Sequence, residues 1–382
     1  MIYFDNNATT QVAPEVFDAM RPYLAEEFGN PSSSHAAGRA AKHAADDARA
    51  SLADLVGAAS PDEIVFTSSG SESDNWAILG ALESDTEKRQ VITTRVEHEA
   101  VRNLCESLET HGYRVTWLDV DGQGSLDLDQ LKRELSSETA VVSVMLANNE
   151  TGILFPVAGI AEIVKCNSDA IFHVDGVNAV GKVPINLKST KIDLFSISGH
   201  KFHAPKGIGA LYIRDGVALP PSIIGGGQEG GRRSGTEAVH QIAGLGAAAK
   251  LVKDQTDIRR IRDLRDRLEY EILKKIPNSH LNGTADADKR LPNTSSISFE
   301  RTNGEMIMAR LDALGVCVST GSACHSQDHT ASGVLMAMDV PYSRAMGAIR
   351  FSLGRYNTEA EIEFVLDALP GIVSELRLIA RY

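Results

Sequence analysis

Ser196-Ile197-Ser198-Gly199-His200-Lys201 is the stretch from which the rest of the chain can be read. It follows a strand-like run, Ile192-Asp193-Leu194-Phe195, and precedes a glycine-punctuated turn, Pro205-Lys206-Gly207-Ile208-Gly209. A short apolar run bounded by turn residues reads as a buried strand. A lysine at the mouth of such a strand, between Ser and His neighbours, suits a residue that holds a carbonyl as an imine. That chemistry needs an amine whose pKa is lowered by its surroundings, with neighbours that orient the bound aldehyde. Taken alone, a lysine at such a position is more often a solvated turn residue.

A second strand upstream changes the balance. Phe172-His173-Val174-Asp175 ends in a carboxylate, and a buried carboxylate without a partner is costly. Pyridoxal phosphate supplies a partner: its ring nitrogen needs an Asp to stay protonated and its aldehyde needs a lysine. Asp175 and Lys201, one strand-and-loop unit apart, fit those two roles.

Strand-like and helix-like segments alternate around this pair. Ile64–Thr67, Val91–Thr94, Arg114–Leu118, Ala140–Met145, Ala170–Val174, Ile192–Ser198 and Ile208–Ile213 read as seven strands. Helical patterns lie between several of them, which predicts an α/β fold with a mainly parallel sheet and helices on both faces. An Ala-rich helix is expected over Ala36–Val56, stopped by Gly57. Another is expected to begin near Trp76. Residues 1–35 are polar and irregular, the composition of a surface arm.

After Gly225-Gly226-Gly227 the pattern changes. Ile258, Ile261, Leu264, Leu268 and Ile272 recur at helical spacing, and the arginines among them alternate with acids, as on a solvated face. A strand over Thr294–Phe299 and helices over Glu305–Leu314 and Glu359–Ala368 complete a smaller α+β unit. The expected division is a large cofactor-binding domain over residues 14–256 and a small domain over 257–382, with 1–13 added to it.

Composition excludes several classes. The 382 residues are 43% hydrophobic and 23% charged, with a formal net charge of −13. That balance argues against direct binding to a nucleic-acid backbone. No apolar run approaches the ~18 residues a membrane span needs. The start, Met1-Ile2-Tyr3-Phe4-Asp5, resembles neither a signal nor a transit peptide. Four cysteines, none in Cys-x-x-Cys spacing, predict no disulfide framework and no structural zinc, and point to a reducing cytoplasm.

Further polar stretches sit where strands end. Ser69-Gly70-Ser71-Glu72 lies between a strand and a helix, where N–H groups and the helix dipole form an anion site suited to phosphate. The plainer reading is a capping box, Ser71-x-x-Asp74. His98 lies just past a strand, where a flat ring can stack on a pyridine and shuttle protons. Asn149, in Asn148-Asn149-Glu150, also follows a strand, where its amide can bond the cofactor's phenolic oxygen. Cys324, in Gly321-Ser322-Ala323-Cys324-His325-Ser326, is surrounded by small polar residues, as an exposed thiol would be. Cys317, in contrast, has the apolar neighbours of a buried one. Arg350, in Ala348-Ile349-Arg350-Phe351, lies in an apolar run and needs an anion there, either a substrate carboxylate held bidentate or a structural partner.

Together these motifs make the chain resemble the NifS/IscS-type cysteine desulfurases, pyridoxal-phosphate enzymes of aminotransferase fold type I. The resemblance runs almost end to end. It is carried by Tyr3-Phe4-Asp5-Asn6-Asn7-Ala8-Thr9-Thr10, Thr67-Ser68-Ser69-Gly70-Ser71-Glu72-Ser73-Asp74-Asn75, Val96-Glu97-His98, Asn148-Asn149-Glu150 and His173-Val174-Asp175. Ser198-Gly199-His200-Lys201, Arg233-Ser234-Gly235-Thr236, Gly321-Ser322-Ala323-Cys324 and Arg350-Phe351-Ser352 continue it.

The resemblance implies roles. Lys201 would carry the cofactor and shuttle protons, Asp175 would pair with the ring nitrogen, and His98 would stack over the ring. Gly70, Ser71, Ser198 and His200 would hold the phosphate, and Thr236 would reach the phosphate of a neighbouring subunit, implying a homodimer. Asn149 and Arg350 would bind the carboxylate of L-cysteine. Cys324 would take the sulfur as a persulfide for an acceptor protein that serves iron–sulfur assembly, tRNA thiolation or DNA sulfur modification. Two positions depart from the family pattern. Asn178 stands where these enzymes usually carry Gln against the ring oxygen, and Cys324-His325-Ser326 looks like selenocysteine lyases. A selenocysteine lyase and a catalytically silent scaffold are therefore the alternative expectations.

Overall fold

The strand-like segments assemble into one seven-stranded sheet. Its order is Ile64–Thr67, Gly209–Ile213, Leu194–Ser198, Ile171–Asp175, Thr139–Met145, Gln90–Thr94 and Arg114–Leu118. Six strands run parallel, and only Gly209–Ile213 is antiparallel to its two neighbours. Nearly all of their residues are buried, which is why they read as continuous apolar runs rather than alternating ones. Register places Met145 beside Asp175 and Asp175 beside Ser196. In a parallel sheet the carboxyl ends share one edge, where ligands of α/β folds bind. This is a computed structural model, and it describes residues 1–320 and 331–379.

The helix Ala36–Val56 forms over the expected span. Its alanines 41, 45 and 48 are buried with Leu52, and Gly57 closes it at φ 63°, its N–H donating to the carbonyl of Ala53. The helix expected near Trp76 instead begins six residues earlier and spans Gly70–Ser84. Its cap is Ser69, whose hydroxyl accepts the Glu72 N–H at 3.2 Å, so the predicted Ser71-x-x-Asp74 capping box does not form. Polar Ser71, Glu72, Ser73 and Asp74 occupy the first turn, where apolar periodicity has not yet started.

A second core lies around a three-stranded antiparallel sheet, Ala348–Ser352, Thr294–Phe299 and Ser279–Leu281. Phe4, Ile297, Phe299, Ile349 and Phe351 pack there against Ile261, Leu264, Leu268 and Leu366. The last helix, Glu359–Ile379, runs well past the predicted end at Ala368 and through Pro370, because Leu369, Val373 and Leu376 continue its apolar stripe. Arg265 breaks the expectation of a solvated arginine face. It is 1% exposed, and its Nη1 donates to the carbonyls of Leu291 and Thr294.

The N-terminal segment is not a surface arm. Ile2–Tyr3 pairs in parallel with Val316–Cys317, and Phe4, Asn6, Asn7 and Thr10 are buried. Its polar side chains are used: the Asn7 N–H donates to Ser352 Oγ, and Asn7 Nδ2 donates to Thr294 Oγ1 and to the carbonyl of Asn149. Pro14–Met20 then forms a short helix. Cys317, expected buried, is only half-buried beside Tyr3, whereas Cys105 is fully buried and Cys166 exposed. No described helix is long and apolar enough to cross a membrane.

Candidate active site

Five strand ends meet at the carboxyl edge of the sheet, and a cavity of about 600 Å³ opens there. Gly70, Ser71, His98, Asn149, Asp175, Asn178, Ser198, His200, Lys201 and Arg350 all line it. Ten of the sequence-predicted positions are thus brought together. Thr236 is exposed and does not line the cavity of its own chain. Cys324 lies outside the described residues. Thr320 and Ala331, which flank that segment, both line the cavity.

Lys201 ends a short helical turn, Gly199–Lys201, directly after the strand Leu194–Ser198. Its Nζ donates to the carbonyls of Asn7 at 2.5 Å and Ala8 at 3.1 Å, so the N-terminal segment holds the amine at the cavity wall. The His200 backbone carbonyl accepts hydrogen bonds from both the N–H and the hydroxyl of Thr10. Burial, followed by the neighbouring charge of Lys201, pushes the His200 imidazole down to about 4, so it stands neutral in the cavity.

Asp175 closes its strand with the carboxyl 6% exposed, and the Val177 N–H donates to its Oδ1 at 2.9 Å. Burial raises its pKa, while His98 and then Lys201 oppose the rise. His98 caps the helix Glu99–Thr110 by accepting the Ala100 N–H on Nδ1 at 3.1 Å, which leaves Nε2 as its other polar atom. Gly70 starts its helix against Val177: a Cβ there would come within 2.6 Å of Val177 Cγ2. The first N–H groups of that helix have no partners inside it and face the cavity beside Ser198. That edge is suited to an anion.

Arg350 is buried, and it has two oxygen partners already. Its Nη2 pairs with Asp5 Oδ1 at 2.7 Å and its Nη1 donates to the Asn149 carbonyl at 2.9 Å. Its Nε is buried with no partner. The structural partner anticipated as an alternative is therefore Asp5. Asn149 contributes its backbone carbonyl to this arrangement.

Several cavity residues carried no assignment from sequence. Asp74 and Glu97 line it, both nearly fully buried, with Asp74 Oδ1 and Glu97 Oε2 unpartnered. Burial, reinforced by Asp175, holds Asp74 well above the usual carboxylate range. His173 lies 3.5 Å from Asp74, bonded on both nitrogens to Ser143 and Ser196, and burial pushes it down to about 3. The available signal was position: Asp74 follows the glycine turn by four residues, and Glu97 precedes His98. Asn7, which also lines the cavity, and Lys182, which lies behind its wall, gave no local signal. Among the described residues no cluster of three or more His, Cys, Asp or Glu side chains can hold a metal.

An amine, a buried carboxylate and an imidazole around one cavity, with an anion-binding helix start at its edge, can hold a charged aromatic aldehyde. Comparison with known proteins agrees with this arrangement. The aminotransferase class-V family model matches residues 2–365. A protein of Trichormus azollae named cysteine desulfurase is 53% identical, with 100% of this chain and 95% of that protein covered. Among solved structures, a NifS-like protein matches at TM-score 0.92 and 38% identity, covering 98% of this chain and all of that one. SspA, solved in complex with cysteine, matches at TM-score 0.82 and 34% identity over 94% of this chain and all of its own. With the fold, the cavity and the full-length match in agreement, the chain belongs to the aminotransferase class-V family and, within it, to the cysteine desulfurases of the NifS type.

Proposed function

We propose that the chain is a pyridoxal-phosphate-dependent enzyme that removes sulfur from L-cysteine, releases L-alanine and passes the sulfur to an acceptor protein. The observation that carries this reading is the convergence of Lys201, Asp175 and His98 on one cavity at the sheet edge. The residues present fit the cofactor. The cavity volume suffices for it, Asp175 is a buried acceptor bonded by the Val177 N–H, and a helix N-terminus lies at the cavity edge.

When bound, the cofactor supplies an electron sink for the pair left behind on losing a substrate proton. Lys201 would hold its aldehyde and take and return protons at the substrate carbons. Asp175 would keep the ring nitrogen protonated, and His98 would stack on the ring. Gly70, Ser71, Ser198 and His200 would hold the phosphate, and Asn178 would bind the ring oxygen. Arg350, with Asn149, would hold the substrate carboxylate. The Cys324 thiolate would attack the substrate sulfur, the S–S bond of a persulfide forming as the C–S bond breaks, with the bond pair left on the carbon that takes a proton on the way to alanine. Thr236 serves the site of a second copy in a homodimer. The cysteine-bound relative SspA supports cysteine as the substrate.

The test is production of alanine from cysteine. The loaded protein should release alanine and sulfide together in the presence of a reductant. Lys201→Ala should lose the lysine-linked visible absorbance and at least about 10⁴-fold in rate. Cys324→Ala should keep the absorbance and lose sulfide release. A colourless protein after loading, or one that makes no alanine, sinks the reading.

A further inference from the structure

Behind the cavity wall lies a buried lysine that the proposed chemistry does not use. Lys182 is 8% exposed and does not line the cavity itself. Its Nζ donates to Asn178 Oδ1 at 2.7 Å and to Asn7 Oδ1 at 3.1 Å. No carboxylate pairs with it among the described ion pairs. Burial drives its pKa well below the ordinary lysine value, and the charges of Lys201 and Arg350 push the same way.

That geometry has a consequence for Asn178, which does line the cavity. A side-chain amide can present either its oxygen or its NH₂ to a ligand, and its partners decide which. The Lys182 nitrogen is the donor in this contact, so it takes the amide oxygen. Oδ1 therefore faces Lys182, and Nδ2 is turned the other way, where it donates to the Asn148 carbonyl at a long 3.4 Å. One N–H of that NH₂ remains for a ligand in the cavity. Asn7, the other acceptor of Lys182, is itself fixed by Asn293, Thr294 and Ser352, so the amine has a rigid anchor.

We infer that Lys182 is a positioning residue that locks the Asn178 amide with its NH₂ toward the cavity, so that Asn178 donates a hydrogen bond to the anionic ring oxygen of the bound cofactor. This rests on the proposed pyridoxal-phosphate reading and extends it to a residue outside the cavity. The donor stabilises the negative oxygen beside the imine nitrogen and so lowers the pH at which the lysine-linked chromophore loses its proton. The charged and titratable groups lining that cavity are Lys201, Asp74, Asp175, Glu97, Glu99, Glu150, His98, His200, Arg95, Arg102 and Arg350. Those acting on or feeling Lys182 are Lys201, Arg350, His200 and His203.

The experiment is a pH titration of the visible absorbance of the loaded protein, read without turnover. Wild type, Lys182→Met, Asn178→Ala and the double variant are compared. Lys182→Met and Asn178→Ala should each move the midpoint upward by on the order of one pH unit. The double variant should move no further than Asn178→Ala. Lys182→Gln, which keeps a donor in the same space, should shift the midpoint less than Lys182→Met and serves if the Met variant does not fold. An unmoved midpoint in Lys182→Met overturns the inference, as does a Gln shift equal to the Met shift. A Lys182→Met shift that persists in the Asn178→Ala background also overturns it, because the lysine then acts directly on the ring. A wild type that stays colourless overturns the proposed function and this inference with it.

Discussion

Two of the buried charge clusters among the described residues are built in opposite ways. In the first, Arg49 and Glu229 meet in two parallel bonds of 2.7 Å, with side chains 14% and 3% exposed. Glu229 also accepts the Phe66 N–H at 2.9 Å, and the guanidinium lies 4.4 Å from the Phe66 ring centre. Neither side chain has an orphaned buried atom among those described. The second cluster is the cavity. Of nine orphaned buried side-chain atoms in the described residues, four belong to residues that line it: Asp74, Glu97, Arg102 and Arg350. Satisfied buried charge serves the fold, and unsatisfied buried charge marks a place kept for something else.

The sharpest way to break that contrast is to damage the satisfied cluster. Glu229→Gln leaves the Arg49 guanidinium buried without its counter-charge, which costs about 4 kcal/mol for such a pair. The expected outcome is a much lower unfolding midpoint with an unchanged KM for cysteine in the folded fraction. A large kinetic effect without loss of stability would erase the distinction.

Glu97 tests the other side through pH. Burial pushes it up to about 8, although Thr94 Oγ1 and the Met145 N–H both donate to its Oε1. The folded protein then holds this proton up to about pH 8, while the unfolded chain releases it near the ordinary carboxylate value of 4.5. The folded state binds more protons across that window, so its stability falls as pH rises through it. Each unit is worth about 1.4 kcal/mol at most, giving about 2 to 3 kcal/mol between pH 5.5 and 7.5. Glu97→Gln should flatten that part of the stability–pH curve, measured by denaturant unfolding at both pH values. An unchanged slope would mean that Glu97 is ionised in the folded protein.

The same contrast explains what could be read from the sequence. Apolar runs such as Val141–Val144 and the alanines of Ala36–Val56 declare their own structure, because burial of a strand or a helix stripe depends on local spacing. Asp175 and Lys201 were legible because a charged residue that ends an apolar strand contradicts its surroundings. Asn7 was not legible. Its environment is made by Ser352, Asn149, Thr294 and Lys182, all more than 140 positions away, so its local sequence looks like any polar loop. Arg265 and Asp5 were missed for the same reason: their partners lie in other elements. The start of the Gly70–Ser84 helix was missed because its first turn is polar, and only tertiary packing against Val177 reveals it.

Arg350, in the cavity, combines a satisfied pair with an orphaned atom, which makes it the finest test. Its Nη2 pairs with Asp5 as a structural arginine would, while its buried Nε has no partner. If the residue is there for the substrate, Arg350→Lys keeps the charge and one bond to Asp5 but loses the planar fork that can serve two oxygen groups together. The expected result is a KM for cysteine raised about tenfold, worth about 1.4 kcal/mol, with kcat nearly unchanged. If it is there for the fold, the same substitution lowers the unfolding midpoint and leaves KM alone, because the Asp5 pair then bears the whole effect. The two outcomes separate cleanly in steady-state kinetics beside an unfolding curve. A fall in kcat alone would assign Arg350 to neither role and would place its influence on the reacting atoms through the Asn149 carbonyl it holds.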